Sequence, residues 1–370
     1  MRLGAPMTFD LDRVLIEDEC RSSDLVERVL AALPAGVPTE FVADGREAAR
    51  PAPDAADAFA AGKRRLVLRR RRGAFLMGCP AASNKFACCG YLVLVLASNC
   101  PMDCSYCFLQ EYVADNPGLQ IFTNYAEAFT ELDRVARDAQ ALPLRIGTGE
   151  LADSLAFDRM TRISADLVDY FAGRPNLTLE LKTKTAEIDN LLTRDPKGRT
   201  LVSWSLSPER VFRTSEHRTA PPEARLGAAR KVLEAGYKVA FHLDPIIAYD
   251  GAERDYARLI EQLGDFIPPA RLSFISLGGL RMTPSLRKRA RERFLADPML
   301  VGEDVLSPDG RYRTFTPLRL RLYHRLREQI SRIAPALPIY LCMETPDIHR
   351  RLMAESPLPP AHLGATLARA

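Results

Sequence analysis

Three cysteines, Cys100, Cys104 and Cys107, stand together in the stretch SNCPMDCSYCFLQEY. A structural zinc site takes four nitrogen or sulfur ligands and a disulfide takes two thiols, so three grouped thiols match neither count. Three thiolates do suit an iron-sulfur cluster: they hold three irons of a 4Fe-4S cubane and leave the fourth open to a substrate or cofactor. A second stretch, RIGTGELADS from Arg145 to Ser154, places Gly147 and Gly149, which permit close backbone approach, beside Thr148 and Glu150, whose carboxylate can meet an ammonium or hydroxyl group. A third, EDVLSPDGRYRTFT, sets two short runs around a Pro-Asp-Gly turn. It predicts a β-hairpin over 303–316, with Arg311, Tyr312 and Arg313 on the strand after its tip as nucleic-acid contacts, the tyrosine for stacking and the arginines for phosphates.

These motifs need elements to position them. The cysteines follow the apolar run GYLVLVLA, and GTGE leaves another apolar run. Both therefore lie at carboxyl ends of strands, where catalytic residues of parallel α/β folds gather. Short runs rich in Leu, Val, Ile and aromatics predict strands at 91–96, 144–147, 177–182, 201–206, 238–243 and 272–277, with helical patterns between them. One helix is expected to open at Asp153 and stop at Gly173, and another runs from Pro221 to Gly236 with proline at its start and glycine at its end. Six βα units in series predict a parallel sheet with right-handed crossovers, either doubly wound or a full or partial barrel. A seventh strand is expected over 338–344. His242 and Asp244 share one face of the fifth strand, as substrate contacts or as a hydrogen-bonded core pair. Trp204 is expected in the core.

Composition bounds the rest. The 370 residues allow one large α/β domain with extensions. Residues 1–62 read as an N-terminal extension and mobile linker, 63–90 as a basic lead-in, 91–280 as the barrel, and 281–370 as a basic region with the hairpin and final strand. Residues 1–62 carry 6 Lys/Arg against 12 Asp/Glu, and the remainder carries 45 against 35. The excess concentrates in KRRLVLRRRR and in 281–332, the footprint expected of a protein that meets phosphates. No apolar run reaches about 18 residues and no apolar segment follows a basic start, so the chain reads as cytoplasmic, without membrane contact. Eight cysteines, clustered unevenly, fit a reducing compartment. Cys79, Cys88 and Cys89 could hold a second metal, but neighbouring cysteines on a strand point to opposite faces, which favours packing. Cys20 is isolated, and His217, His324 and His349 lack metal-ligand spacing.

The C-x3-C-x2-C loop after the first strand, followed one βα unit later by GTGE, resembles the radical S-adenosylmethionine superfamily. NCPMDCSYCFLQ, GTGELADSL, LKTKTAEIDNLL and EAGYKVAFHLDPI together resemble its spore photoproduct lyase family, over about residues 78–344. The resemblance implies a partial (β/α)6-type barrel with an N-terminal extension and a late hairpin. It also implies a 4Fe-4S cluster on Cys100, Cys104 and Cys107, with S-adenosylmethionine on its open iron. The cofactor's neighbours would be Gly147, Thr148, Gly149, Glu150, Lys184 and Ser205. An electron from a donor such as flavodoxin or ferredoxin would cleave the cofactor to a 5'-deoxyadenosyl radical. That radical would abstract hydrogen from a cross-linked thymine pair in DNA, so that the joining bond fragments.

One departure matters. The family returns a hydrogen atom from a cysteine in the segment that here reads GTGELADS, where Glu150 or an immediate neighbour stands instead. A tyrosine after the last cluster cysteine is Phe108 here, and no cysteine lies between Cys107 and Cys342. Tyr106 or Cys342 must then quench the radical, or the substrate differs. Two other classes remain open: a radical enzyme acting on another nucleic acid or a small molecule, and a non-catalytic iron-sulfur protein that binds nucleic acid.

Overall fold

The computed structural model describes residues 9–50, 55–79, 86, 89–138, 143–353 and 367. Ahead of the cysteines come β1 (Arg13–Glu17), β2 (Thr39–Val42), β3 (Arg65–Arg69), β4 (Leu76–Gly78), β5 (Leu92–Leu94) and β6 (Ala97–Ser98). β7 (Asp103–Cys104) lies within the cysteine loop and β8 (Leu119–Phe122) follows it. Then come β9 (Leu144–Gly147), β10 (Leu177–Thr183), β11 (Thr200–Ser205), β12 (Glu216–His217), β13 (Lys238–Ile246) and β14 (Leu272–Gly279). β15 (Arg281–Met282), β16 (Asp304–Leu306), β17 (Tyr312–Thr314) and β18 (Ile339–Leu341) complete the set.

The main sheet runs β18-β14-β13-β11-β10-β9-β5-β4, parallel throughout except for β4, which lies antiparallel on β5. Each parallel strand pairs with its predecessor in the series. A doubly wound sheet would reverse its order at a switch point, and this one does not, so the fold is of barrel type. Among the described residues no pairing joins β18 to β5, and the sheet is a partial barrel. The strands are buried on both faces, β14 at all eight positions and β11 at all six, with apolar residues alternating along them with the polar ones that point into the barrel. Trp204 on β11 is fully buried, and its indole N–H donates to the Thr185 carbonyl at 2.9 Å.

Two expected boundaries differ. The segment from Asp153 to Gly173 is not one helix; short and long helices, Asp158–Thr161 and Ile163–Ala172, meet at Arg162, which takes φ 54°. Residues 1–62 are also more than an extension. β1 and β2 join β3 and β8 in a parallel set that ends in antiparallel β6, a second sheet of order β2-β1-β3-β8-β6. The runs in this sheet are only four or five residues long and β1 lies inside it, so they show no alternation to read. Of the segment taken as the linker, residues 51–54 lie outside the described residues.

The basic run Lys63–Arg72 is likewise absorbed by the fold. Lys63 is buried on the cysteine loop, Arg64 meets Asp10 and Asp12, Arg70 meets Glu127, and Arg72 meets Glu17 and Glu19. Arg69 donates to Gln120 at 2.7 Å. Much of the charge of this run therefore has acidic partners within the chain, while Arg64, Arg70 and Arg72 keep exposed side chains.

Candidate active site

The cysteine loop begins where β6 ends, and its entry is fixed by Asn99. This residue takes φ 66°, a conformation asparagine tolerates, while its side chain accepts from Cys100 N at 2.8 Å and donates to Pro117 O at 2.6 Å. The loop is then pinned from three sides. Lys63 donates to Met102 O and to Asp103 at 3.0 Å. Arg293, at the end of the helix Pro284–Arg293, reaches Asp103 at 3.1 Å, Gln110 at 2.8 Å and Asp57 at 2.8 Å. Gln110 in turn donates to Ser105 O at 2.8 Å. On the third side β7 pairs antiparallel with β12, setting Glu216 beside Cys104.

Glu216 is the hub of that side. It is buried, and accepts from the Tyr106 hydroxyl, from Ser207 at 2.9 Å and from Arg225 at 2.6 Å, with Lys184 Nζ at 3.5 Å. Burial opposes its charge, but Arg225 and Lys184 outweigh that and draw the carboxyl down to about 2. Tyr106 is held well above the ordinary phenol range by burial and by Glu216. Sequence reading missed Glu216, Lys63 and Arg293, because each is an ordinary charged residue until the fold brings it to the loop.

Burial pushes the Cys100 thiol up to about 12 and also raises Cys104 and Cys107; Lys63 and Lys184 pull the other way. Such thiols stay protonated unless a metal takes the thiolate. Among the described residues no three His, Cys, Asp or Glu side chains converge on one ion. The donor set matches a cluster, in which each thiolate binds a separate iron and the cationic neighbours offset its negative charge. Cys89 packs instead against the core group that holds Phe274 and Tyr340, and Cys88 lies outside the described residues.

The GTGE loop leaves β9 and crosses the mouth of the barrel. A Cβ at Gly147 would lie 1.9 Å from the Tyr91 hydroxyl, and one at Gly149 would lie 2.7 Å from Lys182 Cβ. Both glycines are therefore required by the protein's own packing. Burial raises the Glu150 carboxyl. Asp153, expected as a helix start, ties the loop to the end of β10, accepting from Thr183 at 2.8 Å, Lys184 N at 2.7 Å and Leu155 N at 3.0 Å. Its charge is close enough to Cys100 to help raise that thiol. Ser205 is buried at the end of β11, and its carbonyl accepts from Arg225 at 2.8 Å.

Inside the barrel, inward positions two apart form two rungs. The lower rung is a closed polar network: Arg145 to Glu180 at 2.9 Å, Glu180 to His242 at 2.8 Å and to Ser203 at 2.7 Å, and His242 to Ser276 at 2.6 Å. The upper rung carries Lys182, Asp244 and Cys342; Arg281 clamps Asp244 at 2.8 and 3.1 Å and comes within 3.9 Å of the Cys342 sulfur. His242 thus belongs to the core network, while Asp244 faces the mouth.

The lower rung gives stability a pH dependence. Burial, with Lys182 adding to it, lowers His242 from 6.5 to about 4, against the pull of Glu180. The unfolded imidazole therefore protonates first as pH falls, and stability is lost between pH 6.5 and about 4. Glu180 acts in the same direction: although burial opposes its charge, Arg145 and His242 hold it below the ordinary carboxylate range, so its contribution is present above its unfolded value of 4.5 and is lost on further acidification. Thermal unfolding from pH 8 to 4 should show Tm falling below pH 6.5, with a shallower fall in His242→Gln. Parallel curves for the two proteins would remove His242 from this role.

The hairpin is present, with β16 antiparallel to β17 around Gly310 at φ 78°. It does not present all three of its expected residues. Arg313 is buried, donating to Asp309 at 2.8 Å and to Met343 O at 3.1 Å, because β17 is the central strand between β16 and β15 and turns this side chain inward. Arg311 is partly exposed beside Asp309, and Tyr312 lies under the Arg287 guanidinium, 4.4 Å from the ring centre. Val305 and Leu306 on β16 are exposed.

Comparison with known proteins fits this geometry. Residues 54–293 match the family model for spore photoproduct lyase. The chain is 25% identical over 230 residues to the spore photoproduct lyase of Clostridium acetobutylicum, covering 62% of this chain and 66% of that one. It is 27% identical over 172 residues to the Bacillus subtilis enzyme, covering 46% and 50%. The matched region thus spans between half and just under two thirds of these relatives. In structure, a spore photoproduct lyase mutant with bound AdoMet and dinucleoside spore photoproduct superposes with TM-score 0.80 at 21% identity, over 92% of this chain and all of that one. A spore photoproduct lyase complexed with the dinucleoside alone gives the same score over 91% of this chain. With the matched segment running from the N-terminal sheet through the cysteine loop and barrel to Arg293, the chain belongs to the spore photoproduct lyase family.

Proposed function

We propose that the protein is a radical S-adenosylmethionine lyase that repairs a cross-linked thymine pair in DNA. The observation that carries this reading is a pinned loop of three grouped thiols, Cys100 and Cys104 buried and Cys107 partly so, together with the Glu150–Asp153 loop and the inward charged rung at the carboxyl ends of the barrel strands. Cys100, Cys104 and Cys107 would hold a 4Fe-4S cluster; Gly147, Thr148, Gly149, Glu150, Lys184 and Ser205 would border S-adenosylmethionine. When bound and reduced by a flavodoxin- or ferredoxin-like donor, the two groups supply a hydrogen-abstracting radical.

The chain's own residues divide the remaining work. Lys63, Arg293 and Glu216 hold the loop. Fragmentation of the cross-link leaves a carbon radical that needs one hydrogen atom. Cys342, on the inward rung, is the thiol for this: its S–H bond breaks as the new C–H bond forms, and the sulfur radical is restored by one electron from the donor and one proton. Tyr106, bonded to Glu216, is a positioning residue. Arg311 and Tyr312 on the hairpin, with Arg287, would meet DNA, since a base cross-link must leave the stack to reach the mouth.

The test is mass spectrometry of the dinucleoside spore photoproduct after incubation with reconstituted, reduced protein and S-adenosylmethionine. Thymine monomers and 5'-deoxyadenosine are expected together. Deoxyadenosine without thymine release would move the assignment to another substrate, and neither product would end it.

A further inference from the structure

Lys182 stands apart from the other cations of the barrel. Arg145, Arg225 and Arg281 each pair with a carboxylate, and Lys184 lies 3.5 Å from Glu216. Lys182 points inward from β10, two residues above Glu180, half-buried, with its stem packed on Gly149. Among the described residues its ammonium makes no hydrogen bond and no ion pair. Half-buried and without a protein partner among them, this ammonium is free to donate to a group that enters the barrel from the strand ends. Although burial opposes its charge, Asp244, Cys342, Glu150 and Glu180 outweigh that and hold it above the ordinary lysine range, so it is an ammonium donor at neutral pH.

The surroundings also say what kind of acceptor it waits for. Three carboxylates, of Asp244, Glu150 and Glu180, lie within its electrostatic reach. Asp244 and Glu180 are paired with Arg281 and Arg145, so with Lys182 and Glu150 these charges balance and leave no cationic excess to gather a phosphate. An uncharged oxygen needs none. Enzymes that act on an extruded base read it by hydrogen bonds to its polar edge, and the thymine edge presents carbonyl oxygens. Resting on the function proposed above, we infer that Lys182 is a specificity residue that donates a hydrogen bond to a ring carbonyl oxygen of one pyrimidine of the lesion.

Binding should be measured anaerobically on the reconstituted holoprotein with the dinucleoside photoproduct, which has no phosphate. A hydrogen bond from a charged donor implies that Lys182→Met weakens binding by about ten- to a hundredfold, with partial recovery in Lys182→Arg. A photoproduct with a thiocarbonyl in place of the carbonyl tests the same contact on unaltered protein. It should bind wild type more weakly by a similar factor and Lys182→Met no more weakly than the parent compound does. Equal binding of the parent by wild type and Lys182→Met would overturn the inference. So would a loss seen only with a phosphate-linked dinucleotide, or a loss of S-adenosylmethionine affinity as large as that for the dinucleoside. Wild-type protein that fails to bind the dinucleoside at all would instead overturn the proposed function, and this inference with it.

Discussion

Glu216→Ala is expected to lower stability by about 3–5 kcal/mol and to strip the protein of most of its reconstituted iron. The side chain is the counter-ion of Arg225, which is fully buried, and it also accepts from Tyr106 and Ser207. Alanine would leave a guanidinium without a balancing charge in the interior, which costs far more than the pair itself contributes. The same change frees Tyr106, which sits between Cys104 and Cys107, so the loop should lose its shape as well as its support. Glu216→Gln keeps an acceptor for the tyrosine and should retain more iron while remaining less stable than wild type. Denaturant midpoints and iron content read both effects. A Glu216→Ala midpoint close to that of wild type would mean that the hub does not support the loop.

Replacing Cys100, Cys104 and Cys107 together by alanine should abolish iron-sulfur absorbance and 5'-deoxyadenosine formation while leaving the fold in place. The loop's shape rests on Lys63, Arg293 and Glu216 and not on the thiols; Cys100 and Cys104 are small buried residues and Cys107 is partly buried when no metal is bound. Circular dichroism should therefore match wild type while activity falls to background. A variant that still assembled a full cluster would place the metal on other cysteines.

Much of this was legible in the sequence because the motifs are local. The cysteine spacing, GTGE and the Pro-Asp-Gly turn each lie within one loop, and the barrel strands are apolar runs with helical punctuation between them. Charge was the poor guide. Arg313 and the run from Lys63 look like solvent-facing phosphate ligands, yet their partners, Asp309, Glu344, Asp103, Glu127 and Glu17, become visible only in three dimensions. Lys182 shows the converse. Within ELKTKT it is one lysine of two, and only the inward direction of β10 and the lack of a carboxylate within bonding distance distinguish it from Lys184. The N-terminal strands were missed for a different reason: β1 is short and buried, without alternation and too brief to separate from a helix, and β2 is four residues at an exposed sheet edge with no apolar run to read.

The placement of β6 has a further meaning. Its two residues pair with β8, at the edge of the sheet that β1, β2 and β3 build, and the next residues along the chain are Asn99 and Cys100. The first 62 residues are therefore no detachable module. A shortened chain beginning at Lys63 would leave β3 with β8 alone of its two neighbours and remove Asp57 from Arg293, disturbing two supports of the cysteine loop while leaving every barrel strand intact. For this architecture the minimal folded unit is wider than the barrel, and loosening that starts in the N-terminal sheet would reach the thiols before it reached the inward rungs of the barrel.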